Sequence, residues 1–95
     1  MQNLKMHGND LFDEHNHKIA TIKGNDIYGE HFNKVAVVKG NDIYDSNFHK
    51  IATVKGKEIF DEHFHKIGTM KDVEKAIKDT IGGMEAVALW VVFGR

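Results

Sequence analysis

Histidine is the residue type with the most chemistry to offer in this chain, and its placement is regular. Six of the seven histidines are His15, His17, His31, His49, His63 and His65, falling in step with a sixteen-residue period. Convergent imidazoles are the ordinary ligands of zinc, nickel or copper, so a ring of these six would make a transition-metal centre. Imidazoles held near one another would also repel when protonated near pH 6 and so sense acid. The plainer reading carries more weight: polar loop residues multiplied when the unit was duplicated, beside ordinary solvated charges at Glu14, Glu30 and Glu62. On that reading no cofactor is expected, and zinc or nickel at the histidine loops is the alternative.

Two further residue sets recur with the same period. Asp13, Asp45 and Asp61, with the carboxylates beside them, have the composition of acid–base pairs. Every copy supplies nearly the same set, however, whereas catalysis needs carboxyls whose environments drive their pKa values apart. Turn formation and solubility account for them better, and no enzyme activity is expected. The second set is aromatic: Phe32, Phe48 and Phe64 at equivalent loop positions, and Phe12, Tyr28, Tyr44 and Phe60 within the strands. Aromatics interleaved with lysines can stack single-stranded nucleic acid. The strand set reads instead as packing, while the loop phenylalanines, if exposed together, form a patch for a partner. No phosphate-loop, nucleophile-elbow or zinc-protease motif is present.

The elements that must position these residues come from a unit written four times: residues 7–22, 23–38, 39–54 and 55–70. Each copy is long enough for two strands and two turns. Gly8, Gly24, Gly40 and Gly56 hold one turn, followed by Asn9, Asn25, Asn41 and then Lys57. Gly-Asn between apolar runs is a tight-hairpin signal, and Lys57 predicts a looser or different fourth turn. A short strand follows each glycine turn. A polar loop comes next, and then a longer strand begins at Lys18, Lys34, Lys50 or Lys66. With one more strand ending near Met6, the pattern predicts about nine strands in an antiparallel meander, a mainly β fold with four hairpin repeats.

Alternation sorts the faces. Ile19, Val35, Ile51 and Ile67 share a side with Thr21, Val37, Thr53 and Thr69. Ala20, Ala36, Ala52 and Gly68 share the other with Ile22, Val38, Val54 and Met70. The small residue always falls on the second face, which suits close approach of the repeats around a shared axis, or a sheet with something packed on it.

The unit resembles the bacterial four-fold β-flower family, whose repeats run roughly IYD-x-x-GK-x-IG-x-I-x-G. The matching residues are Ile27-Tyr28, Ile43-Tyr44-Asp45, Lys50-Ile51-Ala52 and the recurring Lys-Gly, within about residues 4–70. The resemblance implies four hairpins set as petals about a pseudo-four-fold axis, in a family without a settled activity. Where that repeat has a glycine in its mid-repeat loop, this chain has Asn16, Phe32, Phe48 or Phe64.

From residue 71 to 95 the pattern changes to a C-terminal helical segment of the same domain. Val73, Ala76, Ile77, Thr80, Ile81 and Met84 follow helical spacing, with Asp72 as the expected cap. Gly82-Gly83 interrupts the stripe, and an almost continuously apolar run follows. That run reads first as a helix buried on the sheet, then as a strand, then as an exposed contact centred on Trp90, Val91 and Phe93. It is too short to span a bilayer, although peripheral contact with a membrane remains open to it.

Composition narrows the partners. Thirteen basic and fourteen acidic residues nearly cancel, and only Arg95 among the bases is arginine. Nucleic-acid binders carry a basic excess or stripe, so none is expected here. There is no cysteine, which removes disulfides and thiolate metal sites. The start lacks the apolar core of a secretory signal, so a cytoplasmic location is expected. The favoured function is a non-enzymatic structural or protein-interaction module with a protein partner or a second copy. A metal- or small-ligand-binding domain using the histidine loops is the alternative.

Overall fold

The structure is a computed structural model that describes residues 4–80 and 83–94. The repeats fold as predicted into consecutive hairpins. The strands are β1 (Leu4–His7), β2 (Asp10–Phe12), β3 (Lys18–Lys23), β4 (Asp26–Gly29), β5 (Lys34–Lys39), β6 (Asp42–Asp45), β7 (Lys50–Lys55), β8 (Glu58–Asp61) and β9 (Lys66–Thr69). They lie in sequence order in one sheet, each antiparallel to the last. A tenth strand, β10 (Ile77–Lys78), adds in parallel to the outer edge of β1.

In the two-residue turns the glycine φ values are 60–65°, and none of the following residues is positive. Positive φ on the first turn residue alone is the pattern of a type II′ turn, in which any residue fits second. Lys57 therefore does not loosen the fourth turn, contrary to expectation. Its carbonyl accepts from Met70 N at 3.0 Å, matching the 2.8–2.9 Å bonds that Asn9, Asn25 and Asn41 accept from the next long strand.

Alternation alone misplaces one set of residues. A register shift interrupts the pairing of each short strand with the long strand after it. A bulge of this kind resets which face the next residue meets. Ile19, Val35, Ile51 and Ile67 accordingly pack against the same core as Ala20, Ala36 and Ala52. The threonine face lies away from that core, although Val37 on it is itself buried, and there Thr21 and Thr53 Oγ1 donate to Asp10 and Asp42 Oδ1 at 2.9 Å.

The C-terminal segment departs from the single helical stripe. Helix α1 (Met70–Ala76) is capped by Thr69, one turn before the expected Asp72. Asp72 serves as the reciprocal partner: Thr69 N donates to its Oδ2 at 2.9 Å while Asp72 N donates to Thr69 Oγ1 at 3.4 Å. This is a capping box, which satisfies two otherwise open donors. The helix then stops, because Ile77 and Lys78 find a better backbone partner in the open edge of β1 at Leu4 and Lys5. Asp79, at φ 61°, breaks the helical conformation. Ile81 of the predicted stripe and Gly82 of its predicted interruption lie outside the described residues. The chain resumes as α2 (Gly83–Leu89) and ends in a π-helical turn, Trp90–Gly94.

These connections require a curled sheet. Ten strands laid flat would measure roughly 43 Å across, yet the longest dimension of the molecule is 33 Å. Helix α1 is seven residues long, about 10 Å, and it carries the chain from β9 at one edge to β10 beyond the other. Helix α2 lies within the curl against β4 and β5. Val87, Ala88, Leu89 and Trp90 are buried there with Ala20, Ala36 and Ala52. The run of small residues makes room for it, the second of the two arrangements the sequence pattern allows.

Candidate functional site

A meander places alternate connections at opposite ends of its sheet. All the polar mid-repeat loops therefore share one edge, and all the glycine turns share the other. At the loop edge each copy builds the same five-residue turn. Asp13 N donates to His17 O, and Asn16 N donates to Asp13 O, both at 3.0 Å. The Asp13 side chain completes the turn: its Oδ1 accepts from His15 N at 2.8 Å and His17 N at 3.0 Å. Asp45 and Asp61 repeat this arrangement with Asn47 and His49, and with His63 and His65. Aspartate is suited to this use because its carboxylate reaches backbone donors two and four residues on.

The second copy forms the same turn without the aspartate. Gly29 stands in its place, and Gly29 N still donates to Asn33 O at 2.8 Å. The Asn33 amide oxygen lies 3.2 Å from where a Gly29 Cβ would project. Its side chain thus occupies the space a longer residue would need.

The aspartates are held below the usual carboxylate range. For Asp13 the main cause is the His17 backbone N–H; partial desolvation opposes it, and the His15 N–H and the charges of His17 and His15 add to it. Asp45 and Asp61 follow the same order, led by the N–H groups of His49 and His65. A carboxyl whose folded pKa is depressed contributes stability above its unfolded pKa, about 3.9. That contribution disappears as pH falls through the lower folded value. Replacing all three with asparagine, which keeps an acceptor oxygen, should flatten the fall of stability with pH below about 4. Urea denaturation across an acid series measures this, and an unchanged slope would contradict it.

The loop's fourth residue carries the unusual conformation. Asn16, Phe32, Phe48 and Phe64 all have φ of 63–64°. A type I turn followed by a left-handed residue is a standard three-residue hairpin loop, and glycine normally takes that last place. The loop therefore keeps the conformation that glycine normally takes, although phenylalanine is present in three of the four copies. Asparagine tolerates the left-handed region, but a bulky side chain is an outlier there and costs about 1 kcal/mol. The rings recover little by burial, being 65%, 61% and 64% exposed at Phe32, Phe48 and Phe64. A lysine Nζ stands over each: Lys18 at 5.9 Å from the Phe32 centroid, Lys39 at 5.3 Å from Phe48, Lys55 at 5.6 Å from Phe64. Exposed cation–π contacts contribute roughly 0.5–1 kcal/mol each. The sequence marked these three residues but not their backbone strain; the loop position of the missing glycine was the available signal.

The histidines share the edge without converging. His17, His49 and His65 each lean toward their own aspartate, with Nδ1 to Oδ2 distances of 3.9, 3.9 and 3.7 Å. The rings of His63 and His65 are 6.2 Å apart. Among the described residues, no three histidine or carboxylate side chains are grouped to hold a metal ion. His15 and His31 are exposed like the rest.

The expected tail contact is largely internal. Trp90 is 7% exposed and belongs to the core, so it cannot be an accessible contact. Val91 and Phe93 are partly buried against the same core. Val92 and Phe93 border a shallow depression with Ile19, Glu30 and His31, which places these two residues at the loop edge. At the opposite end a cleft of about 300 Å³ lies between the turns at Gly8 and Gly24 and residues Glu85, Ala86 and Leu89.

A scan against protein-family profiles finds no match to this chain, and searches of curated proteins and of solved structures find none either. Among the described residues, no helix is long and apolar enough to cross a membrane.

Proposed function

We propose that this protein is a non-enzymatic interaction module whose contact surface is the loop edge carrying Phe32, Phe48 and Phe64. One observation carries this reading: three large apolar rings are kept exposed, at equivalent positions, on backbone that disfavours them. Strain that burial does not reward, and that exposed lysine contacts only offset, points to use. The same backbone conformation supports a distant relationship to the four-fold β-flower repeat, since glycine belongs at that position there. The lack of cysteine fits a reducing, cytosolic setting.

Asn16 supplies a control within the chain, because the first loop adopts the same turn without a ring. Replacing Phe32, Phe48 and Phe64 together with asparagine should therefore leave the melting temperature unchanged or raise it by a few degrees. Were the triple variant clearly less stable, the rings would be structural and the reading would fall. Light scattering of both proteins over a range of concentrations shows whether the partner is a second copy: self-association would weaken in the variant.

A further inference from the structure

We infer that the loop edge binds a neutral polysaccharide chain, with Phe32, Phe48 and Phe64 each stacking against one sugar ring. The inference rests on the interaction-module reading and names the occupant of that same edge. Charge argues against a polyanion. The four loops, with the lysine that opens each following strand, carry six carboxylates, four lysines and six histidines. With neutral histidines that is −2, and Lys34, Lys50 and Lys66 are in addition paired with Asp26, Asp42 and Glu58, so the edge stays modestly acidic even with Lys39 and Lys55 reaching over Phe48 and Phe64. Nothing here gathers the excess positive charge that draws phosphate chains.

Area argues against a protein surface as the main partner. Each aromatic side chain offers about 150–250 Å². Three rings about two-thirds exposed thus present roughly 300–500 Å², against about 800 Å² per partner in a standard protein interface. That surface is also divided into ring-sized patches instead of one continuous face. Equivalent loops are two strands apart, about 10 Å along the curved edge, which is close to the advance of a sugar pair in a chain that follows the curl of the sheet.

A pyranose fits such a patch once the loosely held lysine Nζ, 5.3–5.9 Å from each ring centroid, swings aside. Its axial C–H groups make an apolar face the size of one phenyl ring, and its hydroxyls need hydrogen-bonding groups around the rim. Glu30 and His31 flank Phe32, Asn47 and His49 flank Phe48, and His63 and His65 flank Phe64. All six are exposed. Single stacking contacts are weak, but repeats on one rigid sheet sum through effective concentration. The first loop, with Asn16, is the site where a ring is missing.

The test is native-gel retardation of the purified protein by hydroxyethylcellulose, xylan, soluble mannan and a soluble β-1,3-glucan, with alginate as an anionic comparison. The expected result is retardation by at least one neutral polymer, insensitive to added salt. The triple Phe→Asn variant should lose it, and each single variant should weaken it about tenfold. Asn16→Phe should tighten binding by supplying a fourth ring. Three outcomes would overturn the inference: no retardation by any neutral polymer, retardation unchanged in the triple variant, or binding confined to alginate and abolished by salt. The first of these, in a triple variant that folds normally but associates less, would remove the glycan and leave the interaction module standing.

Discussion

Deletion of residues 84–95 is expected to abolish cooperative folding, not merely to change association. Read as a sequence, this segment was open to helix, strand or exposed contact. In the structure Ala86, Val87, Ala88, Leu89 and Trp90 are all buried within the curl of the sheet. Burying a Val, Leu or comparable side chain contributes roughly 1.5–3 kcal/mol, so this segment supplies about 8 kcal/mol or more. A domain of this size has a total stability of about 5–14 kcal/mol. Removing the segment also leaves Ala20, Ala36 and Ala52 lining an empty trough, since small residues cannot close over the space. Thermal and urea denaturation should show a broad, non-cooperative loss of signal, with strong binding of a hydrophobic dye. A truncated chain that melts sharply would mean that the sheet is self-sufficient and that α2 is an accessory.

What the sequence disclosed and what it concealed divide along one physical line. Short-range features were legible: glycine specifies its turn through φ, and β-branched runs specify strands. The small residue once per repeat specifies a face that accepts close packing. Features decided by distant partners were not. Ile77 fits an amphipathic helix as well as it fits a strand, and only the unpaired edge of β1 decides between them. The bulges that redirect Ile19 and its equivalents follow from pairing register, which alternation along one strand does not contain. Phe32, Phe48 and Phe64 were recognised as a candidate patch, but their left-handed backbone is imposed by a loop length and hydrogen-bond pattern that four repeats enforce together. For the histidines, equivalent sequence positions guaranteed a common edge and nothing more. Convergence would need loops that turn toward one another, and His17, His49 and His65 instead each face the aspartate of their own loop.

Gly68→Ala is expected to be among the most damaging single-methyl changes available in this chain, although the other three repeats carry alanine at that position. The difference lies in what covers each site. A Cβ at Gly68 would stand 2.5 Å from Trp90 Cη2, 3.2 Å from Cζ2 and 3.1 Å from Asp72 Oδ2. The first distance is far inside contact, so the indole or the capping turn around Asp72 must move. Trp90 has little freedom to do so, being buried with Gly94 against its other edge. Overpacking of this kind costs about 1–3 kcal/mol, occasionally more, against a gain of roughly 0.5–1 kcal/mol from replacing a strand glycine. A net loss of about 1–2 kcal/mol would lower the melting temperature by roughly 5–15 °C. The cause can be isolated with Trp90→Phe, whose smaller ring leaves space for the methyl. Gly68→Ala and Trp90→Phe should each destabilise alone, yet the double variant should lose at least 1 kcal/mol less than their sum, because each relieves the other. Strict additivity would place the strain at Asp72 instead. In that case the melt of Gly68→Ala should be restored by shortening the carboxylate, as in Asp72→Ser, and not by the change at Trp90.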